Sequence, residues 1–265
     1  LRDRNPTHHL ALATVALIVA NLAVFFFVQP QDGIERLELP TGPTVRIEAP
    51  VRFTFEHAAI PCEITEGRSL DVSEVRDTIQ GIDSCADTDG PPLFGDKNVL
   101  LAALTSMFLH DGYLHIGANM LFLWIFGNNI EDRLGHALFA AFYVTGGIFA
   151  TAAHVLVQTD STVPLIGASG AVAATMGAYL VWFPRIPVRT LLFLGIPLWP
   201  RLPAFVPLLL WFAGQFVIDP NGGVAWMAHV GGFVFGIVVA LVIRASGALG
   251  PPGRVDLPAV MPAVR

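Results

Sequence analysis

Apolar runs long enough to cross a lipid bilayer recur along this chain, and the charges sit at their ends. A helix needs about 20 such residues to span the hydrocarbon core, where every backbone polar group must be satisfied internally. The composition agrees: 54% of residues are hydrophobic and 14% charged, against about 25% charged in an ordinary soluble domain. A purely soluble globule does not fit. The net charge is −6 and no long Lys/Arg cluster occurs, so nucleic acid is not expected as a partner.

Six spans can be drawn, and together they predict an all-α polytopic bundle. The first covers 10–28; it is too long for a signal-peptide core and lacks a small-residue cleavage site, so it reads as retained. Others cover about 113–130, 136–157, 202–218 (despite Pro203 and Pro207) and 226–243. The fourth begins near Ser169 and ends at Pro184, which is short for a crossing, so its N-terminus should start within the bilayer, shielded by neighbouring helices. The division expected is an N-terminus and first helix over 1–28, an enlarged extracytoplasmic insertion over 29–98, a helical core over 99–246 and a disordered tail over 247–265.

Arg2, Arg4, Arg133, Arg185, Arg189, Arg201, Arg244 and Arg254 fall on one side of this arrangement, while loops 158–167 and 219–225 carry no basic residue. Both termini are then expected to be cytoplasmic, in a multi-pass protein of a bacterial plasma membrane. The insertion is acidic. Its alternation at 44–48 and 51–55 suggests short strands or a hairpin, and 70–80 suggests a helix. Cys62 and Cys85 both lie in it, where an oxidising setting would let them pair as a disulfide.

Polar groups inside spans are costly and call for a reason. Gly167-Ala168-Ser169-Gly170 stands where a loop enters the fourth span; on its own, Ser169 reads first as a helix cap. Within the sixth span, His229 lies in Ala228-His229-Val230-Gly231-Gly232 and is open to two readings, a packed histidine or a base. Gly232 and Gly236, like Gly170, Ala174 and Ala178, repeat at the small-xxx-small spacing that brings membrane helices close. Such contact would join Ser169 to His229, a hydroxyl to the base it needs for nucleophilic attack. His115 and Asn119, one turn apart in the second span, suit either an oxyanion hole or interhelical hydrogen bonds, and His110 precedes them. Their spacing is not that of a zinc motif, so no metal is expected. His154 in the third span reads as a structural polar residue.

In this order, the segments Leu104-Thr105-Ser106-Met107-Phe108-Leu109-His110, His115 with Asn119, 127–135, 167–170 and 228–232 resemble the rhomboid family of intramembrane serine proteases, over about 104–236. The resemblance implies a Ser169–His229 dyad without an Asp and without a cofactor. His115, Asn119 and the Ser169 N–H would be the oxyanion donors, Gly167 would keep the approach open, and Gly170 and His110 would support the site. Substrates would be single-span membrane proteins, cut near the outer face of the bilayer. Some members carry a Tyr one turn after the serine, on which the imidazole packs; here that position is Ala173, so another side chain, such as an aromatic, must orient His229. Two other classes compete: an inactive rhomboid-like protein that binds membrane clients, and a transporter using buried histidines. The first characteristically loses the serine or histidine, both kept here, and the second predicts acidic residues inside the spans.

Overall fold

A computed structural model describes residues 7, 10–40, 42, 44–86, 90–193, 197–217 and 224–249. Arg2, Arg4 and Arg254, most of the 219–225 loop and the tail beyond residue 249 lie outside them.

The chain is mainly helical. Helix α1 (Leu12–Ala23) runs on through a π-helical turn to Val28. After the insertion come α5 (Val99–Thr105), a tight turn over Ser106–Phe108, and α6 (Gly112–Phe122), which continues through another π turn into α7 (Asn128–Leu134). Then follow α8 (His136–Val157), α9 (Ser169–Trp182), α10 (Phe205–Gly214, with a turn to Val217) and α11 (Trp226–Ser246). By length and composition α8 and α11 can each cross a membrane. Val99–Phe108 with Gly112–Leu134, bent by 82°, makes a third if counted as one span, whereas Leu12–Val28, Ser169–Trp182 and Phe205–Val217 are apolar but shorter.

Burial orders these helices. Every residue of α9 from Gly170 to Tyr179 is buried, so this short helix is the axis of the bundle. The surrounding helices leave Phe27, Leu114, Leu156 and Val242 exposed, an apolar exterior suited to lipid rather than water. Glycines let α9 and α11 touch backbone to backbone. A Cβ on Gly232 would run into the Gly170 carbonyl, one on Gly236 into the Ala174 carbonyl, and one on Gly177 into the Phe233 carbonyl.

Helix α1 has no capping side chain of its own. Glu131 of α7 does that work: its carboxylate accepts from Ala13 N–H (2.7 Å), Thr14 N–H (2.7 Å) and the Thr14 hydroxyl (2.6 Å), with His136 Nδ1 at 2.5 Å. A buried anion at a helix N-terminus meets both the orphan N–H groups and the positive end of the helix dipole. At the other end of α1, Gln29 pairs with the His110 peptide, accepting its N–H (3.1 Å) and donating to its carbonyl (2.7 Å).

Segment 29–98 mixes strand and helix, and departs from the strand reading in part. Strands β1 (Ile34–Glu38) and β2 (Thr44–Glu48) pair antiparallel, with Ile34 opposite Glu48. The alternating stretch 51–55 is instead helical, within α2 (Ala49–His57). Pro50 occupies its first turn, where the missing N–H costs nothing, and Arg52 reaches Glu56 one turn on. Helices α3 (Pro61–Glu66) and α4 (Val72–Ile79) follow, the latter opened by a capping box between Asp71 and Glu74. Glu74 also takes a two-pronged bond from Arg68 at 2.7 and 2.8 Å. Burial works to raise the Glu74 carboxyl, but Arg68 and the Asp71 N–H outweigh it and hold it below the usual carboxylate range. Cys62 and Cys85 are disulfide-bonded, with Cα atoms 5.7 Å apart, against Phe55, Ile60, Leu70 and Val75. Two further antiparallel pairs, β3 (Pro187–Arg189) with β6 (Arg201–Pro203) and β4 (Leu192–Phe193) with β5 (Pro197–Leu198), join α9 to α10. The fifth helix therefore starts at Phe205 rather than 202: Leu202 and Pro203 belong to a strand, and Pro207 falls in the first helical turn.

Two substitutions test this packing. Glu131→Ala should lower stability in detergent by roughly 3 kcal/mol, because several buried donors lose a charged acceptor together. Gly236→Ala should cost about 1–3 kcal/mol by forcing the α9 and α11 backbones apart. Thermal unfolding followed by circular dichroism reads both, and an unchanged Gly236→Ala midpoint would show that the helices tolerate separation.

Candidate active site

Ser169 is the first residue of α9, and the extended turn before it depends on Gly167, whose φ is +117°. A side chain there would be strained, and its Cβ would meet His115 Nε2 at 2.8 Å and lie 3.6 Å from Ser169 Oγ. Gly167 thus leaves room for an imidazole edge next to the serine. Its own N–H donates to the Ser106 carbonyl at 2.9 Å, which anchors the turn to the end of α5.

The contact of α9 with α11 brings Ser169 Oγ within 2.8 Å of His229 Nε2. On the far side of the ring, Nδ1 lies 2.7 Å from Gln215 Oε1. The amide orientation of Gln215 follows from its other bond: Nε2 donates to the Trp211 carbonyl at 3.0 Å, and a carbonyl can only accept. Oε1 must then face His229, Nδ1 must carry the proton, and Nε2 is left with the lone pair that accepts from the serine. Trp211 lies one turn before Gln215, its ring 5.7 Å from the imidazole. Gln215 and Trp211 are thus the orienting pair that Ala173 does not supply, and Ala173 itself is fully buried. The available signal was a lone amide in an apolar helix, four residues after an aromatic.

His115 Nδ1 accepts the Asp111 N–H at 3.2 Å, which leaves the proton on Nε2, the edge that faces Gly167. Asn119 is buried one turn later and donates one amide hydrogen to the His115 carbonyl at 3.0 Å; its other amide hydrogen is uncommitted among the described residues. The N–H groups opening α9 have no partner within their helix, as at any helix start. His110 is fully buried, its ring edge-on to His115 at 5.1 Å, and Nε2 lies 3.4 Å from the Ala168 N–H. Gly170 is the close-approach point, since its carbonyl lies under Gly232. Beside Ser169, a cavity of about 20 Å³ is lined by Ser106, Thr151, Gly167 and Gly170 among others, room for one water. His154 is buried in α8, its Nδ1 without a partner among the described residues. The geometry thus joins a hydroxyl, an oriented base and convergent N–H donors, the parts of an acyl-transfer site.

Residues 97–246 match the family model described as "Rhomboid domain". The chain is 29% identical over 142 residues to "Rhomboid protein 1, mitochondrial" of Saccharomyces cerevisiae, covering 52% of this chain and 40% of that protein. It is 31% identical over 147 residues to the bovine "Presenilin-associated rhomboid-like protein, mitochondrial", covering 51% and 36%. A shorter match, 32% over 77 residues, is to "RHOMBOID-like protein 5" of Arabidopsis thaliana, covering 29% and 25%. The chain thus spans well under half the length of these relatives. The mitochondrial names overturn the expectation of a bacterial plasma membrane with cytoplasmic termini. Because the family match runs from the end of the insertion to the end of α11 and takes in both Ser169 and His229, this chain belongs to the rhomboid family.

Proposed function

We propose that this chain is an intramembrane serine endopeptidase that cleaves transmembrane segments of single-span membrane proteins, near the face of the bilayer that bears the 29–98 insertion. The names of its relatives point to a mitochondrial membrane as the setting. One observation carries the reading: Ser169 Oγ stands 2.8 Å from His229 Nε2, on a ring whose other nitrogen is committed to Gln215. Six spans are proposed with it, the short apolar helices α1, α9 and α10 completing the set with α8, α11 and the bent pair.

In this mechanism His229 takes the Ser169 proton as the oxygen attacks the scissile carbonyl, and returns it to the leaving amine. Negative charge develops on the former carbonyl oxygen, where the Ser169 N–H, His115 Nε2–H and the free Asn119 N–H act as donors. A water then hydrolyses the acyl-enzyme. The substrate helix must unwind locally before attack, because its carbonyls are bonded within the helix. Gly or Pro near the cut lowers that cost, by about 1 and 3 kcal/mol relative to Ala.

A client-binding rhomboid-like protein without activity is the second reading, and the retained dyad argues against it. A serine-directed fluorophosphonate should label the wild-type protein and not Ser169→Ala. Ser169→Ala and His229→Ala should each abolish cleavage of a single-span substrate, with no further loss in the double variant, because the pair acts as a unit. Labelling that survives in Ser169→Ala would end this account. Gln215→Ala should leave Ser169 in place yet lower kcat by about 10- to 100-fold, since a misplaced base costs rate more than affinity. Equal kcat in wild type and Gln215→Ala would remove Gln215 from the mechanism.

A further inference from the structure

Loop 158–167, which delivers the chain to Ser169, has no regular structure and is held largely by the insertion. Both half-cystines donate to it: the Cys62 N–H to the Ser161 carbonyl and the Cys85 N–H to the Asp160 carbonyl, each at 2.9 Å. Two residues before Cys85, the Asp83 carboxylate takes three bonds from the same loop. Oδ1 accepts from the Thr162 N–H (2.6 Å) and the Thr162 hydroxyl (3.1 Å), and Oδ2 accepts from the Ser161 hydroxyl (2.9 Å). Thr162 is fully buried and Ser161 nearly so. Further along, the Leu165 N–H donates to the Ala59 carbonyl at 2.7 Å, and the Ala59 N–H donates to Ser106 Oγ at 2.6 Å. Ser106 is also the residue whose carbonyl receives the Gly167 N–H. An unbroken set of bonds therefore runs from Asp83 along the loop to the turn that presents the nucleophile.

We infer that Asp83 is a positioning residue for Ser169: from within the disulfide-bonded insertion it clamps 161–162, so that Gly167 and Ser169 stay in register with His115 and His229. This rests on the protease reading above. Asp83 touches no reacting atom and acts through the loop alone. Its removal would take the protein acceptor from the buried Thr162 N–H and from both hydroxyls at once, and so loosen the hold on 161–162. Displacement of about 1 Å at a reacting group can cost about 10²-fold in rate.

The test compares the full chain in detergent with Asp83→Ala and Asp83→Asn, by amide hydrogen exchange and by cleavage of a single-span substrate. Asp83→Ala should exchange about tenfold faster over 161–168 while α8 and α11 keep wild-type protection, and its kcat should fall about tenfold with KM within about twofold. Asp83→Asn should restore both, because its Oδ1 still accepts the Thr162 N–H and its amide nitrogen can donate to the Ser161 oxygen. Wild-type exchange over 161–168 in Asp83→Ala would overturn the clamp, and so would a loosened loop with wild-type kcat. Should the wild-type chain itself not cleave, the protease reading fails instead, and the exchange comparison still decides whether Asp83 holds the loop.

Discussion

The approach of α9 to α11 sets the rest of the site. Carbonyls of Gly170 and Ala174 lie where side chains on Gly232 and Gly236 would have to be, so the two backbones are as near as helices can pack. In lipid, apolar side chains gain little by leaving their surroundings for one another, and close van der Waals contact between backbones takes on more of the cohesion. That contact also fixes distance. A serine at the first position of one helix and a histidine on the facing helix meet at hydrogen-bond length because, at Gly177, Gly232 and Gly236, nothing larger than hydrogen separates the two backbones. Around this pair α8 adds a third small-residue surface: a Cβ on Gly231 would meet Ala153, and one on Gly146 would meet Ala174.

Much of this was legible in the sequence because small residues and polar residues inside spans have few uses. The spacing of Gly232 and Gly236 against Gly170 and Ala174 pointed to the helix pair, and the depth of His229 pointed to a partner. What orients His229 was not recovered. Gln215 sits past Pro203, Pro207 and Gly214, near the end of its helix, where an amide is cheap and draws no attention. Only the approach of α11 makes it the acceptor for Nδ1. Residues 51–55 were misread for a local reason: the same residues fit a two-residue and a helical period when a segment is so short. Pro50 and the Arg52–Glu56 spacing favour the helix. Glu131 lay in a recognised stretch, but its service as the cap of α1, more than a hundred residues away in sequence, depends on tertiary structure.

The choice of an amide to hold the imidazole follows from the surroundings. In water-exposed serine hydrolases a carboxylate can serve as the third group, since it stabilises the imidazolium that forms when the serine loses its proton. Within a membrane bundle a buried carboxylate carries a desolvation cost of several kcal/mol before any reaction occurs. Gln215 fixes the same tautomer through the same Nδ1–H bond without adding a charge, and its second bond, to the Trp211 carbonyl, prevents the amide from turning over. It stabilises the imidazolium less than a carboxylate would. The Trp211 ring, tilted and 5.7 Å from the imidazole, would be an aromatic neighbour for the positive charge on that mechanism. On the proposed mechanism, ground-state neutrality would be kept at the expense of some stabilisation of the charged intermediate, and the site would rely more heavily on the placement of its proposed oxyanion donors. If the protease reading holds, the bonds that fasten loop 158–167 to segment 29–98 would bear on rate as well as on folding.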